Sequence, residues 1–436
     1  MMKIESPWML NLQRKRPLIR LSENADVDVV IIGGGISGIS TAYFLLTQTD
    51  HHVIILEKNT LSSGASGHNA GQAVAAFEAP YTNLIGRYGK EITDNTYTKV
   101  NDAFSSLKSM AEYASSEIIE EEALALFSSL DSAKERMKNP SSTKLYVPSD
   151  SNEPDAIYLE DFNRQTWSSG YCAATGYRAG IVNCPHLIEN ISERLLDEYQ
   201  DRFEIYEDST ADEIIFEDDM VRTSCNGHIV KSSSAVLCTN GYGGFSLKSD
   251  SQRPFLNGSI QPVAGYMIGR INSPAPSGVR SYVPQNPSEP YYYVTRYCVN
   301  SRSLTCAGGL DTRLDNWNEI EAWTKSDERK CSMIEAFLLR KLSGFSGPRN
   351  FQWKGLMGYT DTGVRLAGKD PEIDSLYYNV GCNGIGILHS VLSAVIICKQ
   401  MNGNPYPRTF FDPLIQSQDS KGYPDAVQLS MPPFKE

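Results

Sequence analysis

Residues 28–46 read DVVIIGGGISGISTAYFLL. The run from Asp28 to Ile32 is β-branched and stops at three glycines. A short apolar run bounded by turn residues is the pattern of a strand buried on both faces in a parallel sheet. Beyond the glycines, Ile36, Ile39, Tyr43 and Leu46 recur at the three-and-four spacing of a helix. A second apolar run, HVIILEK at 52–58, predicts the next strand. Strand, glycine turn, helix and strand within about thirty residues make a βαβ unit.

Inside that unit Gly33, Gly35 and Gly38 are spaced as GxGxxG, and Glu57 closes the second strand nineteen residues after Gly38. The pattern is weak alone and specific in this setting, between a strand and a helix. Gly33 permits the tight turn, Gly35 lets a pyrophosphate approach the backbone, and Gly38 lets helix and strand pack closely. The helix start at Ile36 and Ser37 offers free N–H groups and a partial positive charge to phosphate. Glu57, followed by Lys58, can accept from both hydroxyls of a ribose. The turn serves NAD and FAD equally. The segment LSSGASGHNAGQ at 61–72 separates them. Its small residues (Gly64, Ala65, Ser66, Asn69, Ala70 and Gly71, with His68 among them and Gln72 after) let a backbone lie along a long, flat cofactor and donate N–H groups to it. That favours FAD.

The bulk properties set bounds. The chain has 436 residues, enough for two or three domains and a core that needs no disulfides. A net charge of -12 argues against nucleic acid or an anionic membrane as the main partner. Nine cysteines without CxxC spacing read as reduced thiols, and no metal-ligand spacing or Ser-His-Asp set is found. Residues 1–25 read as a polar surface arm without a signal peptide, and no apolar run reaches the length of a membrane span. The expectation is a soluble, cytoplasmic chain; its oligomeric state is not indicated.

Further along, 86–140 reads as helix, including ALALFSSLDSAKERMKN, and 184–200 as a helix with Pro185 near its start. Strand patterns occupy 203–245 and 255–310, helix returns at 316–342, and 374–401 reads as strand, glycine turn and helix. Residues 406–436 read as a surface tail. In YYYVTRY at 291–297, alternation puts Tyr292 and Arg296 on one side and Tyr291 and Tyr293 on the other. An Arg beside Tyr hydroxyls suits a substrate carboxylate, which makes Arg296 and Tyr292 candidates, with a solvent-facing Arg as the plain alternative. Tyr266 and Trp353 are candidates to line an apolar pocket over a ring, or core residues.

With these segments the chain resembles the D-amino-acid oxidase superfamily of FAD-dependent oxidoreductases, in the branch of γ-glutamylputrescine, glycine and sarcosine oxidases. The resemblance rests on VVIIGGGISGISTAYFL, VIILEK, SSGASGHNAGQ, RAGIVNCPHLIENISERLL, AVLCTNGYGG, QPVAGYM, YYYVTRY, GYTDTGVRLAG and NVGCNGIGILHS. It implies an α/β fold, with a Rossmann-like FAD-binding domain (26–85, 171–250 and 350–405) and an α+β substrate domain with an antiparallel sheet (86–170 and 251–349). It implies FAD contacts at Thr239, Asn240 and Gly241, at Gly363 and Arg365, and at Asn383, Gly384, Ile385, Gly386 and Ile387. It implies oxidation of a primary or secondary amine or amino acid by hydride transfer to flavin N5, giving an imine that hydrolyses, with O2 or another carrier as acceptor. A flavin-binding protein without turnover is the alternative of another class. Two departures stand out: Ile385 replaces the usual His or Arg, and Thr362-Gly363-Val364-Arg365 replaces Asp-Gly-x-Pro. His68 in HxAG spacing is expected beside the flavin, held noncovalently or by a bond to it, or else unrelated to it.

Overall fold

The β-branched run folds as its composition demands. In a computed structural model the strand Ala25–Ile32 lies inside a nine-stranded sheet, with Val53–Leu56 parallel on one side and His228–Leu237 parallel on the other. The structure describes all residues except 1, 11, 162–169, 218–219, 250–251, 257–259, 273–280, 286–289, 300–301, 342–347, 407 and 419–436. Most of the expected tail therefore lies outside the described residues. Phe203–Tyr206 extends the sheet beyond Val53–Leu56, and Leu376–Val380 joins the end of His228–Leu237 in parallel. The helices Ile36–Gln48 and Ile387–Met401 pack against each other on one face, and Cys184–Glu198 packs on Ile36–Gln48. All three bury faces that are mainly apolar, with Ser37, Glu189 and Ser393 among the polar exceptions.

A second, eleven-stranded sheet is mostly antiparallel. Ile260–Asn272 lies between Arg302–Arg313 and Phe351–Thr360, and Tyr292–Val299 follows on the far side of Arg302–Arg313. Ser281–Gln285 links this part to Ile118–Phe127, which pairs in turn with Ala173–Val182. The helix Lys325–Lys341 covers one face. The cavity described below lies against the other.

Three expectations change. The segment ALALF is the end of the strand Ile118–Phe127, and only Leu130–Met137 of that stretch is helix. Ala123–Phe127 is buried throughout, and 124–127 is paired on both sides, so tertiary pairing overrides the helix-forming Ala and Leu. Strands 173–182 and 351–360 pair into the eleven-stranded sheet, although the sequence reading grouped them with the FAD-binding part.

The first 25 residues are no loose surface arm either. Lys3–Ile4 pairs in parallel with Phe351 and Gln352, and Trp8 is 2% exposed. The Ser6 hydroxyl donates to the Gly67 carbonyl (2.5 Å), and the Trp8 indole Nε1 donates to that of Asn69 (2.9 Å). Arg14 donates to the Leu61 carbonyl (2.9 Å), while Arg16 binds Glu189 twice and Glu207 once. The arm is a strap laid over the back of the 61–72 loop. Among the described residues no helix is long and apolar enough to cross a membrane.

Trp8→Ala is expected to cost about 3–5 kcal/mol, the usual loss for a buried large aromatic. Urea unfolding measures it; a loss under about 1 kcal/mol, typical of surface sites, would mean that the strap is not packed in solution.

Candidate functional site

The helix Ile36–Gln48 approaches its strand closely because Gly38 has no side chain. A Cβ there would sit 1.9 Å from the Gly33 carbonyl oxygen. Gly33 has φ +110° and turns the chain, with room for a Cβ denied by the Cys238 carbonyl at 2.7 Å. The helix thus begins at the mouth of a cavity of about 360 Å³ between the two sheets, a volume usual for ligand sites. Gly33, Gly35, Ile36 and Ser37 form its near wall.

Glu57 lies beside this turn. Its Oε2 accepts from the Gly34 N–H (2.7 Å) and its Oε1 from the Asn59 N–H (2.9 Å). Burial raises its pKa despite these bonds. A carboxylate has about four acceptor positions, so two remain for a ribose. Lys58 lies over the Trp317 ring, 4.1 Å from its centre. Thr239 and Asn240 line the same end.

The 61–72 loop forms the next stretch of wall, through Gly64, Ala65, Ser66, His68, Asn69, Ala70 and Gln72. The Ser66 hydroxyl accepts from the Ile36 N–H (2.9 Å), which joins the loop to the helix start. The Trp353 indole donates to the His68 carbonyl (3.0 Å), next to the Asn69 carbonyl held by Trp8. The N–H of each peptide unit points opposite to its carbonyl. The Asn69 and Ala70 N–H groups therefore point away from the strap, and among the described residues neither has an acceptor. His68 donates from Nδ1 to the Gly64 carbonyl (2.9 Å), which leaves the lone pair on Nε2, and burial lowers its pKa.

Opposite the loop, Gly384, Ile385, Gly386 and Ile387 lead into the second helix. Arg365 lies where the two helix starts meet. Its guanidinium donates to Ser37 Oγ (2.7 Å), Ser393 Oγ (3.1 Å) and Asn379 Oδ1 (2.5 Å). It is 2% exposed, lines the cavity, and has no carboxylate partner among the described residues. Burial lowers its pKa to about 10. A buried cation between two positive helix ends calls for an anion. A diphosphate at the GxGxxG turn would supply that anion, so the donor set fits FAD.

Five expected contacts support the wall from behind instead of lining it. Gly38 and Gly241 allow close backbone packing, the latter against the Met357 carbonyl. Gly71 and Gly363 occupy turns at φ +75° and +70°. Asn383 latches the loop by accepting from the Thr360 N–H (3.0 Å).

The expected substrate contacts are placed elsewhere. Tyr292 stacks on Phe337 at 3.9 Å, under the helix Lys325–Lys341. Tyr266 accepts from Lys330 (3.0 Å) on that same face, and Arg296 is buried over Tyr282. Trp353 packs with Trp8 beneath the loop. None of the four lines the cavity. The period of two puts Tyr291 and Tyr293, the neighbours of Tyr292, on the cavity side, while Gly355 and Met357 line the cavity from the same strand face as Trp353, which the loop covers. Glu78, Arg136, Tyr177, Gln285 and Asp311 complete that end and were missed by the sequence reading. They come from separate elements, so no local motif announces them.

Comparison with known proteins gives the following. The family described as FAD dependent oxidoreductase matches residues 28–400. The chain is similar to the putative Rieske 2Fe-2S iron-sulfur protein YhfW of Bacillus subtilis (strain 168), 32% identical over 92 residues, covering 21% of this chain and 18% of that protein. It is similar to gamma-glutamylputrescine oxidoreductase of Escherichia coli (strain K12), 33% identical over 86 residues, covering 20% of each. The matches thus span about a fifth of the length of these curated relatives. Glycine oxidase from Bacillus cereus ATCC 14579 has a similar fold, with TM-score 0.66, 20% identity, and coverage of 91% of this chain and 99% of that one.

Arg365→Gln is expected to weaken FAD binding by about tenfold or more, the scale of one lost charge-assisted contact. Titration of apoprotein with FAD measures it, and unchanged affinity would remove Arg365 from the cofactor site.

Proposed function

The chain belongs to the FAD dependent oxidoreductase family, and from that premise we propose that it oxidises a primary or secondary amine or amino acid. The observation that carries this reading is the cavity itself. Its lining takes in the GxGxxG turn at Gly33, Gly35, Ile36 and Ser37, Arg365, His68, and an end of tyrosines and carboxyls. FAD, when bound, supplies the hydride acceptor at N5.

The chain's own groups do the rest. Glu57 takes the ribose, Arg365 and the two helix starts take the diphosphate, and the free Asn69 and Ala70 N–H groups lie along the middle of the cofactor path. Tyr177, Tyr291, Tyr293, Met357 and Val283 enclose the far end and keep water from the reacting carbon. A carbon–hydrogen bond next to nitrogen breaks there, and the resulting imine is released to hydrolysis. On this reading the nine-stranded sheet serves the cofactor and the eleven-stranded sheet the substrate. The relatives' names, gamma-glutamylputrescine oxidoreductase and glycine oxidase, support an amine or amino acid as the class. O2 is the proposed acceptor. His68, with its Nε2 lone pair free, is proposed to face the flavin ring.

Anaerobic titration of the yellow protein with putrescine derivatives, sarcosine, glycine and D-amino acids is expected to bleach the flavin band with at least one of them. A band that persists with all would leave a flavin binder without turnover. Bleaching followed by slow recovery in air, without peroxide, would replace O2 by a carrier. Acid precipitation of the same sample decides the role of His68: colour in the supernatant means a noncovalent flavin, and colour in the pellet means a bond.

A further inference from the structure

The closed end of the cavity holds two carboxyls from distant parts of the chain. Glu78 follows the short strand Gln72–Val74, and Asp311 lies on Arg302–Arg313. Asp311 reaches the cavity through a bulge. Ala264 pairs with Thr312 and Tyr266 with Gly309, so Gly265 alone faces both Leu310 and Asp311. Leu310 adopts φ +56°, a conformation that costs a residue with a branched side chain. Bulges of this kind turn a side chain toward a site. A Cβ on Gly265 would stand 3.3 Å from Asp311 Oδ1, so the glycine also leaves the carboxyl room. Asp311 Oδ1 is buried and has no hydrogen-bond partner among the described residues. An unpartnered carboxyl oxygen at the wall of a cavity is costly unless a ligand completes it.

Glu78 lies close by. Its Oε1 stands 2.9 Å from where a Gly384 Cβ would be, and its side chain bonds to Tyr291. Around it are Asp311, Arg136, Tyr177, Tyr291, Tyr293 and Tyr359. Arg136, from the helix Leu130–Met137, is the guanidinium at this end, and no ion pair holds it among the described residues.

We propose that Glu78 and Asp311 are the amine-docking pair of this site, and that they select substrates whose reacting carbon carries no carboxylate. This rests on the oxidase reading above and names its substrate class: amines that arrive as ammonium ions, with any acidic group far enough along the molecule to meet Arg136. An ammonium N–H docked on the pair gives its proton to a carboxylate oxygen; the N–H bond breaks, an O–H bond forms, and the nitrogen regains the lone pair that oxidation needs. A carboxylate on the reacting carbon would be driven against the pair. Burial pushes Asp311 up to about 7, and burial with the neighbouring Asp311 pushes Glu78 up to about 7. A carboxylate so raised is a better base than an ordinary one. The surrounding tyrosines are raised above their usual value and stay protonated, so the carboxyls are the groups that titrate near neutrality.

Calorimetry on the flavin-loaded protein tests this with two probes that cannot be oxidised there, ammonium and acetate. The cation is expected to bind, more tightly at pH 8 than at pH 6, because raised carboxyls become ionised as pH rises through about 7. Acetate is expected not to bind at pH 8. Glu78→Gln and Asp311→Asn, singly and together, are expected to lower the cation's affinity by about tenfold while the protein stays yellow. Arg136→Gln is expected to raise it. Acetate binding more tightly than the cation at pH 8, or cation affinity unchanged in either single variant, overturns the proposal. A colourless wild-type protein that takes up no FAD overturns the oxidase reading instead, and the two failures are told apart by the flavin band.

Discussion

The contact between Gly38 and the Gly33 carbonyl sets the position of everything at the cofactor end. No side chain fits where a Cβ would lie 1.9 Å from a backbone oxygen. The helix therefore sits directly on the end of its strand, and its first residues, Ile36 and Ser37, line the cavity. From that placement follow the Ser66 bond to Ile36, the Ser37–Ser390 contact (3.0 Å) between the two helix starts, and the seat of Arg365 between them. A helix displaced by even a methyl group would pull these apart. The constraint is one of excluded volume, and it acts before any hydrogen bond is counted.

The resulting cavity is polarised along its length. One end gathers two helix N-termini and the Arg365 guanidinium. The other gathers Glu78 and Asp311, with Arg136 at their margin. The Arg365 end holds no carboxylate among the described residues, and at the other end Arg136 offsets the two carboxyls only in part, while buried charge left uncompensated opposes folding. A chain selected for stability alone would replace these groups with apolar ones. Their presence is best understood as complementarity to a ligand that brings a diphosphate to one end and to a second molecule that brings a cation to the other. The bulge at Leu310 and Asp311 belongs to the same pattern, since it gives up regular pairing to aim a carboxyl.

The proposed cofactor half of the candidate site was readable because its determinants are local. Gly33, Gly35, Gly38 and Glu57 lie within one βαβ unit, and sequence spacing there equals spatial arrangement. The small-residue loop was readable for the same reason: only a backbone-lined wall explains so few side chains. The substrate half was not. It takes Glu78, Tyr177, Tyr291 and Asp311 from separate elements, and spacing carries no information about such a set. The strand 291–297 shows how little decides the outcome. Its alternation was read correctly, but Arg296 drew attention to the wrong face, and only the helix Lys325–Lys341 packing on Tyr292 fixes which face is buried away from the cavity. The N-terminal strap was unreadable because its partners lie some sixty residues on, in a loop with no apolar face of its own.

That loop explains why the strap exists. Residues 61–72 have few large side chains to pack; His68 and Asn69 hold part of the loop from within, by bonds to the Gly64 carbonyl (2.9 Å), the Ser66 carbonyl (2.8 Å) and the Gly71 N–H (2.7 Å), and the rest of its conformation is imposed from outside. It is imposed through carbonyls. Leu61, Gly67, His68 and Asn69 each give their carbonyl oxygen to a donor from behind, supplied by Arg14, Ser6, Trp353 and Trp8 in turn. A trans peptide whose carbonyl is held on one side presents its N–H on the other. Holding the His68 and Asn69 carbonyls thus directs two N–H groups into the cavity, where no protein group takes them among the described residues. The small residues that make the loop pliable would make it a poor binding wall if it were left free, because its ordering would have to be repaid on each binding event. The strap meets that cost once, during folding, and the wall is already formed when the cofactor arrives.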